Sequence, residues 1–364
     1  MDLRALLDAA EGAPPSAGIE ALATELAATI RASEVSFLIA DISGGALTRL
    51  ARAAASGGAE LRRNNPTRVP IVGSVAGLAL SSQQLQVVSS EAGVWVYAPV
   101  TERGEALGVL ELLLADSPDP QILGYLRSAA HALSYIVIAD RRHSDLYEYG
   151  QRTEELSLEA EIQRRLLPPS YSCQAEQFAL AACLVPANQV GGDTFDYIVD
   201  RDTLHLSITD AMGHGVAAAL LATLAVGSLR NSRRRGAGLV EQAQQANLAL
   251  AAHAEADQFV TAQLIRITLS TGATQIVNAG HMNPLLVRDG KVHAVDLDVD
   301  LILGVLPDTP YRYNTCSCYP TIDWCLSLTG CMNAKPPKPR SSCCWARWTT
   351  STPAPPPKPS PQQS

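Results

Sequence analysis

The feature that most constrains the fold is a pair of alternating segments in the second half of the chain. Residues 193–199 and 204–209 each alternate apolar and polar side chains, and a short polar stretch separates them. This pattern is typical of an antiparallel β-hairpin. With Arg201-Asp202 as a two-residue turn, Phe195 pairs with Ile208, and the other apolar pairs fall on the same face.

The same register places Asp193 directly opposite Asp210. Opposed side chains on antiparallel strands have Cβ atoms about 4.5–5.5 Å apart. Two carboxylates at that distance repel each other, so one holds a proton or a cation lies between them. Hard divalent cations favour carboxylate oxygens and water. The register therefore predicts a Mg²⁺ or Mn²⁺ site, whereas a longer turn would leave both acids facing solvent at strand ends.

Glycines and small residues surround the two acids. Gly191-Gly192 before Asp193 allows another backbone segment to come close. After Asp210, the run Ala211-Met212-Gly213-His214-Gly215 predicts a sharp turn. A helix over 216–224 follows, and its alanines allow it to pack closely on a sheet.

Further motifs follow in order along the chain. They are Ile162-Gln163-Arg164-Arg165-Leu166-Leu167-Pro168, Pro186 with Val190 to Tyr197, Asp210 to Gly215, Phe259-Val260-Thr261-Ala262, Asn278-Ala279-Gly280-His281 with Pro284, and Leu303-Gly304-Val305. Together these motifs make residues 159–313 resemble the SpoIIE-type phosphatase domain. That family is the bacterial branch of the metal-dependent, protein phosphatase 2C-like (PPM) serine/threonine phosphatases.

The resemblance implies both a fold and a chemistry. The fold is α/β (α+β), with two antiparallel sheets packed face to face and helices outside, an αββα arrangement. The chemistry uses two Mn²⁺ or Mg²⁺ ions, bridged by Asp193 and by a water that attacks a phosphoserine or phosphothreonine. Asp210 is expected to ligate one ion, by itself or through water. The backbone carbonyl of Ala211 is expected to be a further ligand.

The resemblance also places supporting residues around the metals. His214 is expected to lie in the turn, positioned by its backbone, and His281 to be a loop or packing residue at the rim. Asp196 is expected to support the strand pair, with a role behind the metal ligands as the alternative. The other supporting residues are Gly191, Gly192, Gly213, Gly215, Thr261, Asn278 and Gly280.

The first part of the chain predicts a separate α/β module over residues 17–140. Residues 19–30 have helical spacing, 35–42 form a strand pattern, and 93–114 form a hairpin pattern. The Gly73-Ser74-Val75-Ala76-Gly77 segment and the Pro99-Val100, Gly104 and Leu107-Gly108-Val109 pattern make this module resemble a GAF domain. The resemblance implies either a small-molecule sensor or a dimerisation module. If it is a sensor, one candidate ligand is a nucleotide that regulates the second domain.

Residues 120–167 carry an imperfect apolar stripe with helical spacing. One interpretation is a parallel coiled coil in a homodimer. The other is two helices, each packed on its own domain. The predicted organisation is an N-terminal extension (1–16), a GAF-like domain (17–140), a helical linker (141–168), an incomplete phosphatase domain (169–313) and an aberrant tail (314–364).

Charge and composition narrow the classes of function. The net charge of −8 argues against a nucleic-acid binder, because phosphate contact needs a basic face. The sequence shows no run of about 18 apolar residues, so no membrane span is expected. Its start, with Asp2 and Arg4 and no long apolar run, predicts no secretory signal, and a cytoplasmic location is expected.

Residues 314–364 differ in composition from the rest of the chain. They hold three of the four tryptophans and ten of the 23 prolines, and Asp323 is their only acid. The family pattern continues after Tyr311 with an apolar strand and a Thr-Asp-Gly motif whose Asp is a metal ligand. This sequence lacks that motif. The segment holds six of the eight cysteines: Cys316, Cys318, Cys325, Cys331, Cys343 and Cys344.

A shift of the coding frame near Asn314–Cys318 explains the missing motif. Codons for residues 328–333 can be chosen so that the shifted frame encodes Asp-Gly-Val-Tyr-Glu, and the shifted codons of 316–328 permit an apolar strand ending in Thr. The rival explanation is a zinc site, which the lack of Cys-x₂-Cys spacing and of a following His disfavours. Residues 353–364 are Pro-rich and are expected to be disordered, as is the tail as a whole.

The sequence therefore predicts a Mn²⁺- or Mg²⁺-dependent protein serine/threonine phosphatase with a GAF-type N-terminal domain. This domain order resembles RsbU-like regulators, which implies a phosphorylated regulatory protein of the anti-sigma-factor-antagonist type as substrate. No nucleic-acid or membrane partner is expected. The alternative is a catalytically impaired pseudophosphatase that acts as a GAF-containing interaction protein.

Overall fold

The computed structural model divides into two compact units, Met1–Glu155 and Leu156–Ser364. The residues that it describes are 2–42, 44–54, 67–152, 156–184, 191–253, 255, 257–288, 291–317, 323–327 and 343–348. Pro186 and Val190 of the predicted motifs, Cys318, Cys331 and the Pro-rich segment 353–364 lie outside these residues. The predicted domain boundaries stay predictions.

The first unit is built on a six-stranded antiparallel sheet. Its strand order is β3-β2-β1-β6-β5-β4. The strands are β1 (Glu34–Ala40), β2 (Ala46–Ala54), β3 (Arg68–Pro70), β4 (Gln86–Ser90), β5 (Gly93–Glu102) and β6 (Glu105–Leu114), and the helices are α1 (Leu3–Glu11), α2 (Gly18–Ile30), α3 (Val75–Ser82), α4 (Pro120–Asp140) and α5 (Leu146–Gly150). The predicted hairpin over 93–114 and the helix over 19–30 are confirmed.

The core of this unit follows from strand alternation. Phe37 on β1 and Leu110 on β6 pack with Leu126 of α4, and all three are fully buried. α4 begins at Pro120, where the Asp119 side chain accepts a hydrogen bond from the Ile122 backbone N–H. Among the described residues, α4 is the one helix long and apolar enough to cross a membrane by length and composition. One side of α4 is buried in this core.

The helical stretch after residue 120 consists of separate helices in the described residues. α4 ends at Asp140 and packs on the core of the first unit. The next long helix, α6 (Leu158–Leu166), packs within the second unit, where Leu166 joins a buried apolar cluster. This arrangement is the second of the two interpretations, in which each helix packs on its own domain.

The second unit contains two antiparallel sheets. The first has the strand order β15-β12-β11-β10-β9, and the second has the order β14-β13-β16-β17-β8-β7. The elements are β7 (Ser172–Gln174), β8 (Phe178–Cys183), β9 (Gly191–Asp200), β10 (Thr203–His214), α7 (Gly215–Arg234), α8 (Leu239–His253), β11 (Val260–Thr268), β12 (Ala273–Ala279), β13 (Leu285–Arg288), β14 (Lys291–Ala294), β15 (Asn314–Ser317), β16 (Asp323–Ser327) and β17 (Cys343–Trp348).

The first sheet of this unit is apolar on both faces. Phe195 and Ile208 point into a core that also holds Phe178 of the second sheet, so this is the inter-sheet face. Leu264 points the other way and packs with Leu221 of α7, so this is the helix face. The expected pair of antiparallel sheets packed face to face is confirmed, and the mixed α/β class with it.

The expectation of a disordered tail is wrong for the described parts of residues 314–364. β15 pairs with β12, and β16 and β17 lie between β13 and β8 in the second sheet. Without them, β13 and β8 would be separate edges with unpaired backbone groups, and backbone pairing depends little on side-chain identity. A composition that is atypical of a phosphatase core therefore still supplies strands.

Candidate metal centre

The predicted hairpin register is confirmed residue by residue. Phe195 pairs with Ile208, and Asp193 lies directly opposite Asp210. On its other side, Asp210 lies opposite Thr261 of β11. Paired residues of neighbouring strands point to the same face, so these three side chains form a row at the end of the inter-sheet face.

The two carboxylates are electrostatically strained. Burial raises the pKa of Asp193 from 3.8 to about 7, and the charge of Asp210 and a hydrogen bond with Asp210 act in the same direction. A carboxyl group with this pKa holds a proton at neutral pH unless a cation replaces it. The pair is therefore a site that accepts either a proton or a positive ion.

The backbone around the two acids needs glycine for two reasons: close approach of two strands, and a positive φ angle. A Cβ on Gly192 would lie 2.4 Å from the Ala211 Cβ, so only glycine lets β9 and β10 approach here. Gly213 has a φ of +97° and Gly215 a φ of +74°, in the left-handed region that favours glycine. These two allow β10 to turn directly into α7.

His214 is the last residue of β10, so the turn predicted over residues 211–215 is instead a bulged strand end that leads directly into α7. The His214 backbone pairs with Gly191 across a bulge in the β9–β10 ladder. Its side chain is exposed and does not cap α7, although His214 is the residue that precedes the helix. The observed position fits a role for the His214 backbone at this strand end.

His281 lies beside the carboxylate row. Its Nδ1 is 2.8 Å from the Thr261 Oγ1, and its backbone N–H donates to the Asn278 side chain. Gly280 has a φ of +71°, and a Cβ there would collide with Ile302. The structure therefore brings Thr261, Asn278, Gly280 and His281 together at the end of the row.

Asp196 is not brought to this site. It lies three residues after Asp193 on the same strand, so it points to the helix face. There it accepts hydrogen bonds from the Arg230 Nη2 at 2.8 Å and from the Arg233 Nη1 at 3.0 Å. The expected support of the strand pair takes the form of an anchor for α7, and the alternative of a place behind the metal ligands does not fit this geometry.

Two positions had no predicted role. The Gln163 Nε2 donates to the Asp193 carbonyl at 2.7 Å. The buried Asn247 of α8 donates to the Leu306 and Pro307 carbonyls and accepts from the Gly304 N–H. Asn247 is a polar residue in the apolar stripe of α8, which could have indicated its role. Gln163 belongs to the motif over residues 162–168, but that motif gave it no function.

The donor set fits a hard cation in part. The Asp193 and Asp210 carboxylates face each other, and burial and the charge of Asp210 raise the pKa of Asp193. Carboxylate oxygens are the donors that Mg²⁺ and Mn²⁺ prefer. Among the described residues, no group of three or more His, Cys, Asp and Glu side chains is placed to hold a metal. Asp193, Asp210 and the Ala211 carbonyl stay predicted ligands.

Comparison with known proteins points to one family for the second unit. Residues 200–321 match the family model described as Stage II sporulation protein E (SpoIIE). The chain is 22% identical over 191 residues to the phosphoserine phosphatase RsbU of Bacillus subtilis (strain 168). That match covers 50% of this chain and 57% of RsbU, so the chain spans little more than half of this relative.

Several solved structures are similar to parts of this chain. The RsbU and RsbW domains of Rv1364c from Mycobacterium tuberculosis match with a TM-score of 0.43 and 21% identity, over 50% of this chain and 63% of that chain. The phosphatase domain of SpoIIE from Bacillus subtilis matches with a TM-score of 0.42 and 12% identity, over 49% and 66%. A GAF domain from Acinetobacter matches with a TM-score of 0.33 and 10% identity, over 39% and 95%.

Proposed function

We propose that this chain, which carries a SpoIIE-type phosphatase domain, is a metal-dependent protein serine/threonine phosphatase. The single observation that carries the proposal is the opposition of Asp193 and Asp210 at the end of the inter-sheet face. Asp210 lies inside the segment that matches the family, and the hairpin register brings Asp193 to it. A carboxylate pair in this position is the donor set of a divalent-cation site.

The chain's own residues prepare the site for a cation. In the metal-free protein, Asp193 holds a proton beside Asp210, and it would release this proton when the ion binds. Thr261 and His281 form a hydrogen-bonded border beside the row. When bound, Mn²⁺ or Mg²⁺ supplies an activated water and neutralises charge on the phosphoryl oxygens.

The proposed substrate is a phosphoserine or phosphothreonine on a regulatory protein of the anti-sigma-factor-antagonist type. Its support is the similarity to RsbU, which is described as a phosphoserine phosphatase. The first unit acts in this proposal as a sensor of a small molecule or as a homodimerisation module. The cellular location proposed is the cytoplasm.

The second candidate is a catalytically impaired pseudophosphatase. It is favoured by the C-terminal sequence, in which Asp323 is the only acid after Tyr313 and no Asp-Gly occurs. The family's C-terminal metal ligand therefore has no counterpart in this reading frame. A chain of this kind would act through binding by its first unit.

Hydrolysis of a phosphoserine peptide in Mn²⁺ tests the two candidates. The proposed phosphatase releases inorganic phosphate, and D193N loses at least about 100-fold of that activity, because a metal ligand is lost. D200N is the matched control, since Asp200 is an exposed acid at the far end of the same strand. Activity that is equal in D193N and the parent would overturn the proposal, and absence of activity in both would favour the pseudophosphatase.

A further inference from the structure

The first helix of the second unit contacts the main chain of Asp193 directly. Gln163 lies on α6 and is 6% exposed. Its Nε2 donates a 2.7 Å hydrogen bond to the backbone carbonyl of Asp193. The Gln163 side chain is neutral, so this hydrogen bond adds no charge to the site. Its effect is to hold the main chain of Asp193 in place.

The Asp193 carbonyl lies in a strand that needs outside support. β9 is the outermost strand of its sheet among the described residues, so a donor on its outer side has to come from another element. The ladder is interrupted just before Asp193, where the register shifts between Ala211 and His214. Across the same pair of strands, Asp193 faces a second acid, Asp210. Gln163 supplies a bond at the point where β9 is least constrained.

α6 itself is held firmly at both ends. The Ser157 side chain caps its first turn, and Glu159 and Glu161 lie where acids favour a helix N-terminus. At its C-terminal end, the Arg230 Nη2 donates to the Leu166 carbonyl at 2.6 Å. Through Gln163, this fixed helix is tied to the main chain of Asp193.

We propose that Gln163 is a positioning residue that holds the main chain of Asp193 so that its carboxylate faces Asp210. The affinity of the proposed cation site then depends on this hydrogen bond. α6 is the first helix after the boundary between the two units at residues 155 and 156. The cation part of this inference rests on the proposed function, whereas the positioning part does not.

The positioning role is tested first in the metal-free protein. Q163M keeps an unbranched side chain of similar length and helix propensity but cannot donate. Hydrogen–deuterium exchange in EDTA should become about three- to tenfold faster for peptides that cover residues 191–196. Q242M is the matched control, because Gln242 is a 4% exposed glutamine whose Nε2 donates to the Ala237 carbonyl. It should leave exchange in these peptides unchanged.

The cation role is tested by Mn²⁺ titration of the same proteins. Q163M should bind Mn²⁺ about tenfold more weakly than the parent, and Q242M should bind like the parent. If Q163M does not fold, Q163E replaces it in both assays at pH 8, where its carboxylate cannot donate. Parent-like exchange at 191–196, or equal effects in the Gln163 and Gln242 variants, would overturn the inference. A parent chain that binds no Mn²⁺ would overturn the proposed function and its cation part, while the exchange assay still decides the positioning role.

Discussion

Asp193 and Asp196 lie on one strand and meet opposite surroundings. On the inter-sheet face, Asp193 faces another acid, and its pKa is raised to about 7. On the helix face, Asp196 is 6% exposed and accepts hydrogen bonds from both Arg230 and Arg233. Both residues are aspartates on β9, three residues apart. Their different surroundings therefore come from the partners on the two faces of the sheet.

The difference teaches what each acid contributes to the protein. A buried carboxylate with two guanidinium partners ties a helix to a sheet, and removal of one partner leaves an uncompensated charge. A carboxylate opposite a carboxylate costs free energy in the metal-free state and regains it when a cation binds. The ion pairs on the helix face therefore stabilise the fold. The opposed acids on the inter-sheet face lower its stability, which the proposed cation would restore.

The largest effect is expected from a third acid on the inter-sheet face. Nucleotide sequencing across codons 305–340 tests the frame shift, and we expect it to show an in-frame Asp-Gly-Val-Tyr-Glu. A protein expressed with that frame should hydrolyse phosphoserine peptide at least about 1,000-fold faster than the present chain, since it regains a ligand for a second ion. Confirmation of the present frame, with full activity, would contradict this prediction.

On the helix face, D196N should cost about 3 kcal/mol of unfolding free energy, because Arg230 and Arg233 lose their buried anion. Urea unfolding in EDTA measures the loss. Combining D196N with R230M should cost much less than the sum of the two single changes. An additive double variant would show that the ion pairs do not hold α7 in place.

The glycine between the two acids' strands gives a smaller effect. G192A should lose about 2 kcal/mol, because its Cβ would lie 2.4 Å from the Ala211 Cβ and push β9 from β10. Thermal unfolding and Mn²⁺ titration should both show the loss. G227A is the control: a Cβ at Gly227 of α7 meets nothing within 4 Å, so alanine should stabilise the helix slightly.

The last two effects are pH dependences of opposite sign. The native protein keeps Asp193 protonated up to about pH 7, whereas the unfolded chain ionises it near 3.8. Metal-free stability from this group therefore falls as pH rises from about 4 to about 7. The melting temperature of D193N minus that of the parent should rise across this window, and a flat difference would contradict the raised pKa.

His205 on the helix face supplies the opposite slope. Burial, with Arg233 and Arg266 nearby, lowers its pKa from 6.5 to about 4. The unfolded state binds the extra proton between these values, so stability from His205 rises with pH over this window. The melting temperature of H205Q minus that of the parent should fall from about pH 4 to about pH 6.5.

The sequence predicted the site better than its surroundings. Alternation with a period of two residues fixes which side chains share a face, so the Asp193–Asp210 pairing followed from the turn alone. The partners of Asp196 could not be found in this way, because Arg230 and Arg233 come from a helix whose rotation is set by packing. The same holds for Gln163, whose acceptor is a main-chain atom and leaves no pattern in the sequence.

The tail shows another limit of sequence patterns. Its composition predicted disorder, yet β16 and β17 lie in a sheet whose other strands come from residues 172–183 and 285–294. The backbone groups of a strand pair with strands from elsewhere in the chain. The local sequence pattern of that strand does not show these partners. The predicted roles of Asp193, Asp210 and Ala211 as ligands stay predictions for the experiments above.

The place of β17 in its sheet has a consequence for biosynthesis. β17 pairs with β8, which the ribosome makes about 160 residues earlier, and it separates β8 from β16. The sheet therefore closes only after nearly the whole chain has left the exit tunnel. The first unit has all of its strands by residue 114 and is free to fold during translation. We expect the second unit to fold later than the first, because the contacts that close its second sheet join distant segments.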